Sequence, residues 1–195
     1  NIRGTMESLD KDAFSMAAEL IQNAKKIYIV GIRSCEPLAD FLGFYLNMLF
    51  DEVHVVRTNS ASEIFEQLMR IGAGDVLIGI SFPKYSMRTV KAMELANSRS
   101  AGVISITDSI HSPLNLYSSC NLIARSEMAS VVDSLTAPLS VINALIVALC
   151  LKNQDSLKQS IETLDQLYDD YQIYGRDEMD PSGGEIEIFH QGSRV

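Results

Sequence analysis

Two short stretches hold the residues best suited to chemistry: Gly31-Ile32-Arg33-Ser34-Cys35-Glu36 and Ser81-Phe82-Pro83-Lys84-Tyr85-Ser86. Each follows an apolar run ("KIYIV" and "DVLIGI") and precedes a segment with helical spacing ("PLADFLGFYLNML" and "MRTVKAMELANS"). Where a strand gives way to a helix, unpaired N–H groups and the positive end of the helix dipole favour an anion. The hydroxyls of Ser34, Ser81 and Ser86 and the ammonium of Lys84 suit a phosphate at such a junction. Each also has a plainer use: Ser34 and Ser86 are natural helix N-caps, and Lys84 is an ordinary solvated charge. Neither stretch is a nucleotide fingerprint. "GIRSCE" lacks the later glycines of G-x-G-x-x-G, and no Walker lysine pattern occurs, so dinucleotide and ATP binding are not expected.

The elements that must position these stretches are legible from periodicity. "MESLDKDAFSMAAELIQNAKK" predicts one amphipathic helix, with Leu9, Phe14, Ala17, Leu20 and Ile21 at helical spacing. Five short apolar runs, "KIYIVG", "EVHVVR", "DVLIGIS", "GVISITD" and "NLIAR", read as strands. Between them, "PLADFLGFYLNMLF", "ASEIFEQLMRIG" (stopped by Gly72) and "SMRTVKAMELANSRS" read as helices, and further helices are predicted over residues 130–152 and 155–170. Such alternation implies a parallel sheet covered on both faces. Right-handed crossovers then give an α/β three-layer, doubly wound sandwich with a five-stranded parallel sheet and flavodoxin-like strand order 2-1-3-4-5. In that order the switch point lies between strands one and three, where both chemical stretches emerge. Residues 1–24 are expected to form a linker helix and 25–171 the domain. Residues 172–195 form a tail with a candidate edge strand "EIEIF" and no assigned role.

Composition limits the function. At 195 residues and 47% hydrophobic content the chain fills one core. A net charge of −9, unbroken by any Lys/Arg block, makes this chain itself a poor partner for nucleic acid. Cys35, Cys120 and Cys150 form no C-x-x-C pair, so neither zinc nor a redox couple is expected, and a reduced, cytoplasmic setting fits. "VINALIVALCL" is too short to span a bilayer and polar residues precede it, and no basic-then-apolar leader is read at Asn1, so no membrane partner is expected. Its apolar surface belongs either to a deep core helix or to one covered by another subunit. Met48, Met69, Met87 and Met93 are read as core filling. Of His54, His111 and His190, only His111 falls near the expected pocket. A chain that starts at Asn1 reads as part of a longer protein.

Three segments carry a resemblance: "IYIVGIRSCEPLADFLGFYLNML", "DVLIGISFPKYSMRTVKAMELA" and "GVISITDSIHSPLNLYSSCNLIA". Together they resemble the SIS (sugar isomerase) domain and, more narrowly, the effector domain of RpiR-type bacterial transcription regulators. "ISFPKYS" before a helix and "ITDSIHSPL" ahead of "SSCNLIA" are the most specific parts. The resemblance implies a phosphosugar or amino-sugar phosphate held by Ser34, Cys35, Ser81, Lys84 and Ser86, with no cofactor and no metal. Cys35 stands where the family favours serine. Pro83 and Lys84 depart from the isomerase pattern Ser-x-Ser-Gly-x-Thr but match the regulator version. Glu127 falls where SIS enzymes place a glutamate before the long helix, as a base or as an acceptor for sugar hydroxyls. The resemblance also implies at least a homodimer and a helix-turn-helix domain ahead of Asn1 that alone contacts DNA. The rival it allows is a sugar-phosphate aldose–ketose isomerase with Glu127 as base.

Overall fold

The five apolar runs pair into one parallel sheet. A computed structural model describes residues 1–57, 60–127 and 134–171 of the chain. Strands β1 (Ile27–Gly31), β2 (Val53–Val55), β3 (Val76–Ile80), β4 (Gly102–Thr107) and β5 (Cys120–Ile123) lie in the order β2-β1-β3-β4-β5. This is the order expected from the sequence. Gly31 stands opposite Ile80 in the β1–β3 register, so the loops that leave these two strands start side by side.

Side-chain parity explains why the runs are apolar throughout. Ile27, Ile29, Val76, Ile78, Ile80, Ile104 and Ile106 face one core, while Tyr28, Val30, Leu77 and Val103 face a second on the other side of the sheet. The first core is closed by α2 (Lys11–Gln22), α3 (Glu36–Leu46) and α6 (Thr136–Lys152), the second by α4 (Ala61–Gln67) and α5 (Met87–Ser98). Helix α5 lies so close that a Cβ at Gly79 would stand 2.4 Å from the Met93 sulfur. The β4 positions facing the second core after Val103 are polar. Ser105 and Thr107 are fully buried and hydrogen-bonded, Ser105 to Asn115 and Asn121, Thr107 to Ser112. These bonds hold the loop after β4 against the end of the sheet.

Several boundaries differ from the sequence expectation. The single N-terminal helix is two, α1 (Ile2–Ser8) and α2, because Leu9 is extended and the Asp10 carboxylate caps α2, accepting from the N–H groups of Asp12 and Ala13 at 2.9 and 3.1 Å. Helix α2 packs Ala17, Ala18 and Ile21 into the first core. Helix α4 ends at Gln67, before Gly72. The long helix starts at Thr136; residues 130–133, its expected first part, and "EIEIF" lie outside the described residues. Helix α6 settles the two readings of its apolar surface unequally. Val141, Ile142, Leu145 and Leu149 are core, whereas Val147 and Leu151 on the outer face are about half exposed.

The chain divides into two units, residues 1–157 and 158–195. Helix α7 (Gln154–Tyr171) starts in the first and supplies all the described residues of the second, where Lys158 pairs with Glu162 one turn on. No single described helix is long and apolar enough to cross a membrane.

Candidate functional site

The β1 loop is a tight return. After Gly31 the chain makes a 3-10 turn over Arg33–Cys35 and enters α3 with Pro37 in its first turn. A Cβ at Gly31 would lie 2.5 Å from the Cys35 carbonyl oxygen, so the turn folds back over the strand end only because that atom is missing. Arg33 has φ of 60°, a left-handed conformation that suits glycine. Ser34 is exposed and its hydroxyl makes no hydrogen bond among the described residues, so it does not cap α3. Cys35 is buried among core side chains, which takes its thiol away from the loop surface where a ligand group was expected.

The β3 loop is pinned from inside. Ser81 is buried, and its hydroxyl oxygen accepts the Ser86 N–H at 3.0 Å. Ser86 is the N-cap of α5 and accepts the Thr89 N–H at 3.5 Å. The capping reading of Ser86 is therefore correct, and Ser81 reinforces it from the strand end. Lys84, at the exposed tip, also has a left-handed backbone, with φ of 67°. Non-glycine residues seldom adopt this conformation. The Thr89 hydroxyl, fully buried in the first turn of α5, has no hydrogen-bond partner among the described residues.

A cavity of about 600 Å3 opens where β4 and β5 end, lined by Ser8, Pro83, Asp108, Ile123, Arg125 and Glu127 among others. Tyr85, from the β3 loop, donates to Asp108 Oδ1 at 2.8 Å and so ties the β3 and β4 loops together. Burial, aided by this bond to a carboxylate, pushes the Tyr85 phenol up to about 12. Across the cavity Arg125 and Glu127 approach to 3.7 Å, both well exposed. Glu127 comes four residues after the end of β5 at Ile123 and before the start of α6 at Thr136, so it is not a first-turn residue of α6.

Helix α1 forms part of the same wall. The Thr5 hydroxyl accepts the Arg125 N–H at 2.9 Å. The Asn1 carboxamide accepts the Glu127 N–H at 3.2 Å and donates to the Glu127 carbonyl at 2.9 Å. A Cβ at Gly4 would touch the Arg125 side chain at 3.0 Å, so the helix lies directly on that residue.

A second, smaller cavity of about 240 Å3 lies at the ends of β1 and β2, with Arg33, Glu36, Arg57 and Arg88 in its lining. Arg57 is paired with Asp40 at 3.0 Å.

The sequence-predicted residues thus fall into distinct surroundings. Ser81, Lys84 and Ser86 share one loop, Ser34 sits on the neighbouring one, Cys35 is core, and Glu127 lies on the wall beyond β5. Asp108, Arg125, Tyr85 and Thr5 were not singled out from sequence. Asp108 and Arg125 had a usable signal, since each follows the carboxyl end of a strand. Thr5 had none. Neither does His111 appear in the lining of these two cavities. No group of three or more His, Cys, Asp or Glu side chains fit to hold a metal occurs among the described residues.

A five-stranded, all-parallel, doubly wound sheet covered by helices on both faces defines the fold class as α/β. The family model of the SIS domain matches residues 20–148, and the chain belongs to that family. It is 28% identical over 174 residues to an HTH-type transcriptional regulator of Caldanaerobacter subterraneus, covering 85% of this chain and 60% of the relative. The chain therefore spans less than two thirds of that protein. Among solved structures it is similar to the sugar isomerase domain of an RpiR transcription factor from Sphaerobacter thermophilus, with TM-score 0.81, 24% identity, and coverage of 85% of this chain and 92% of that one. The Vibrio vulnificus NanR protein complexed with ManNAc-6P gives TM-score 0.75 at 19% identity, covering 85% of this chain and 65% of that one.

Proposed function

We propose that this chain is the phosphosugar-sensing effector domain of a sugar-responsive transcription regulator whose DNA-binding part lies outside it. The observation that carries the reading is the β3 loop. Ser81 holds the start of α5 by its hydroxyl oxygen, its O–H hydrogen is not donated to any described group, and Lys84 stands at the exposed tip of the same loop with a left-handed backbone. Two hydroxyls, an ammonium and the first-turn amides of α5 make a phosphate cradle. Ser34 from the adjacent loop adds a further hydroxyl. The sugar then extends over the cavity beyond β4 and β5, where Asp108 and Glu127 accept from its hydroxyls and Arg125 donates. The relative with an HTH name and the RpiR and NanR structures support the regulator class.

Helix α1 gives the sensor an output. It rests by Thr5 and Asn1 on Arg125 and Glu127, so a ligand that moves this wall moves α1. With DNA-reading helices ahead of Asn1 and two copies paired, such a shift changes their spacing. Pairing is supported by the exposed apolar residues Phe44 on α3 and Val147 and Leu151 on α6.

The test is a thermal melt of the chain against sugar phosphates and the matching free sugars. A ligand present at about 100 times its dissociation constant adds roughly 2.7 kcal/mol. Stabilisation by one phosphosugar and not by its free sugar is expected; no shift across a broad panel overturns the reading. The isomerase alternative rests on Glu127 standing in the cavity wall. Aldose–ketose turnover that disappears in Glu127→Gln would establish it, and tight binding without turnover would sink it.

A further inference from the structure

We infer that the cavity between Arg33 and Arg88 is a second anion site, and that the effector is a di-acid: a phosphosugar bearing a carboxylate or a second phosphate. The inference rests on the phosphate being assigned to the β3 loop.

Three arginines from three elements line this cavity: Arg33 from the loop after β1, Arg57 from the segment after β2 and Arg88 from the first turn of α5. Arg57 is committed to Asp40 at 3.0 Å. Arg33 and Arg88 make no ion pair or hydrogen bond among the described residues, and Glu36 is the carboxylate that shares the lining. The lining therefore stays net positive on a chain whose net charge is −9. Arg33 and Arg88, neither of them ion-paired among the described residues, repel one another, and a planar or tetrahedral anion accepting from both guanidinium groups relieves this. Backbone needs do not explain Arg33, because φ of 60° would suit glycine better. The side chain is what the position gains.

One ligand can reach both sites. Arg88 comes two residues after Ser86, the N-cap of α5, and the loops bearing Arg33 and Ser81 leave paired strands from the opposed residues Gly31 and Ile80. Carboxylate and phosphate share the chemistry the arginines recognise, so matched ligands must separate them.

The first arm uses inorganic phosphate, at constant ionic strength, against the wild type, Arg33→Gly/Arg88→Ala, Ser81→Ala/Lys84→Gly and all four changes together. Glycine at 33 relieves the backbone, which keeps that variant folded. Each pair is expected to lose part of the phosphate-induced melting shift, and only the fourfold variant all of it. If the loop pair alone removes the whole shift, there is one site and the inference falls while the loop reading stands. If the arginine pair alone removes it, the loop reading falls, and the di-acid inference that rests on it falls too.

The second arm compares hexose 6-phosphates with the corresponding 6-phosphoaldonates and 1,6-bisphosphates by calorimetry. A di-acid is expected to bind at least ten-fold tighter than its matched monophosphate, and the arginine variants to erase most of that preference. The stronger of the two di-acid types names the second group. Equal affinity for mono- and di-acids, or equal loss of both in the arginine variants, means the arginines serve a single phosphate and overturns the inference.

Discussion

The hydroxyl of Thr5 accepts a hydrogen bond of 2.9 Å from the backbone N–H of Arg125, a residue 120 positions away on the wall of the larger cavity. Thr5 is buried, so the bond is shielded from water. It ties the N-terminal helix to the wall of that cavity.

Thr5→Val keeps the shape of the side chain but leaves the Arg125 N–H without its acceptor. A buried donor left unpaired costs about 1–3 kcal/mol. Chemical denaturation should find a loss of that size, and Thr5→Ser should recover most of it. Hydrogen exchange should quicken over α1 and residues 125–127 while β1 and β3 stay protected. Equal quickening throughout would mean that α1 is not a separate strap.

Lys84→Gly separates charge from backbone. The left-handed φ of 67° costs a lysine and not a glycine, while glycine gives up more chain entropy on folding. Stability should therefore stay within about 1 kcal/mol of wild type. Phosphosugar affinity should drop ten-fold or more. Retained affinity would remove Lys84 from the cradle.

Gly31→Ala should be far more harmful than its single methyl suggests. The added Cβ meets the Cys35 carbonyl oxygen at 2.5 Å, a backbone atom that cannot swing aside. Overpacking of this kind costs about 1–3 kcal/mol, and here it also displaces the loop bearing Arg33 and Ser34. A lowered melting temperature together with weakened ligand binding is the expected pair of results.

Tyr85 makes the stability of the fold fall at alkaline pH. Its phenol is pushed up to about 12 in the fold, against an ordinary value of 10.0. Above about pH 10 the unfolded chain loses this proton while the folded one keeps it, so stability falls between roughly pH 10 and 12. Burial pushes the Cys120 thiol up to about 11, which adds a loss of the same sign from its ordinary 9.0 upward. Tyr85→Phe should flatten the Tyr85 part of that slope and leave the Cys120 part. It should also cost about 1 kcal/mol at neutral pH by removing the bond to Asp108. Unfolding followed against pH in both proteins tests this.

Sedimentation should find a homodimer that Val147→Glu or Phe44→Glu drives to monomer. Both side chains are more than half exposed, at 52% and 63%, so the charge should leave the fold of the single chain intact. Unchanged association in both variants would place the contact elsewhere.

Local chemistry was legible in the chain by itself. Short, β-branched apolar runs such as "DVLIGI", alternating with helical segments, pointed to a parallel, doubly wound sheet buried on both faces, and the order the molecule adopts was expected only because it is a common one for such sheets. That order placed the β1 and β3 loops together. The Ser86 cap was also readable, because capping needs only residues three apart. Other features needed the tertiary structure. Cys35 is packed into the core because a 3-10 turn, which its loop sequence did not announce, rotates it inward. Arg33, Arg57 and Arg88 carry no joint signal, since they come from three elements and meet only at the strand ends. Likewise Thr5 and Arg125, or Tyr85 and Asp108, become partners only once the sheet has set their distance. Periodicity reports which face of an element is buried; which side chains then converge depends on how the elements pack.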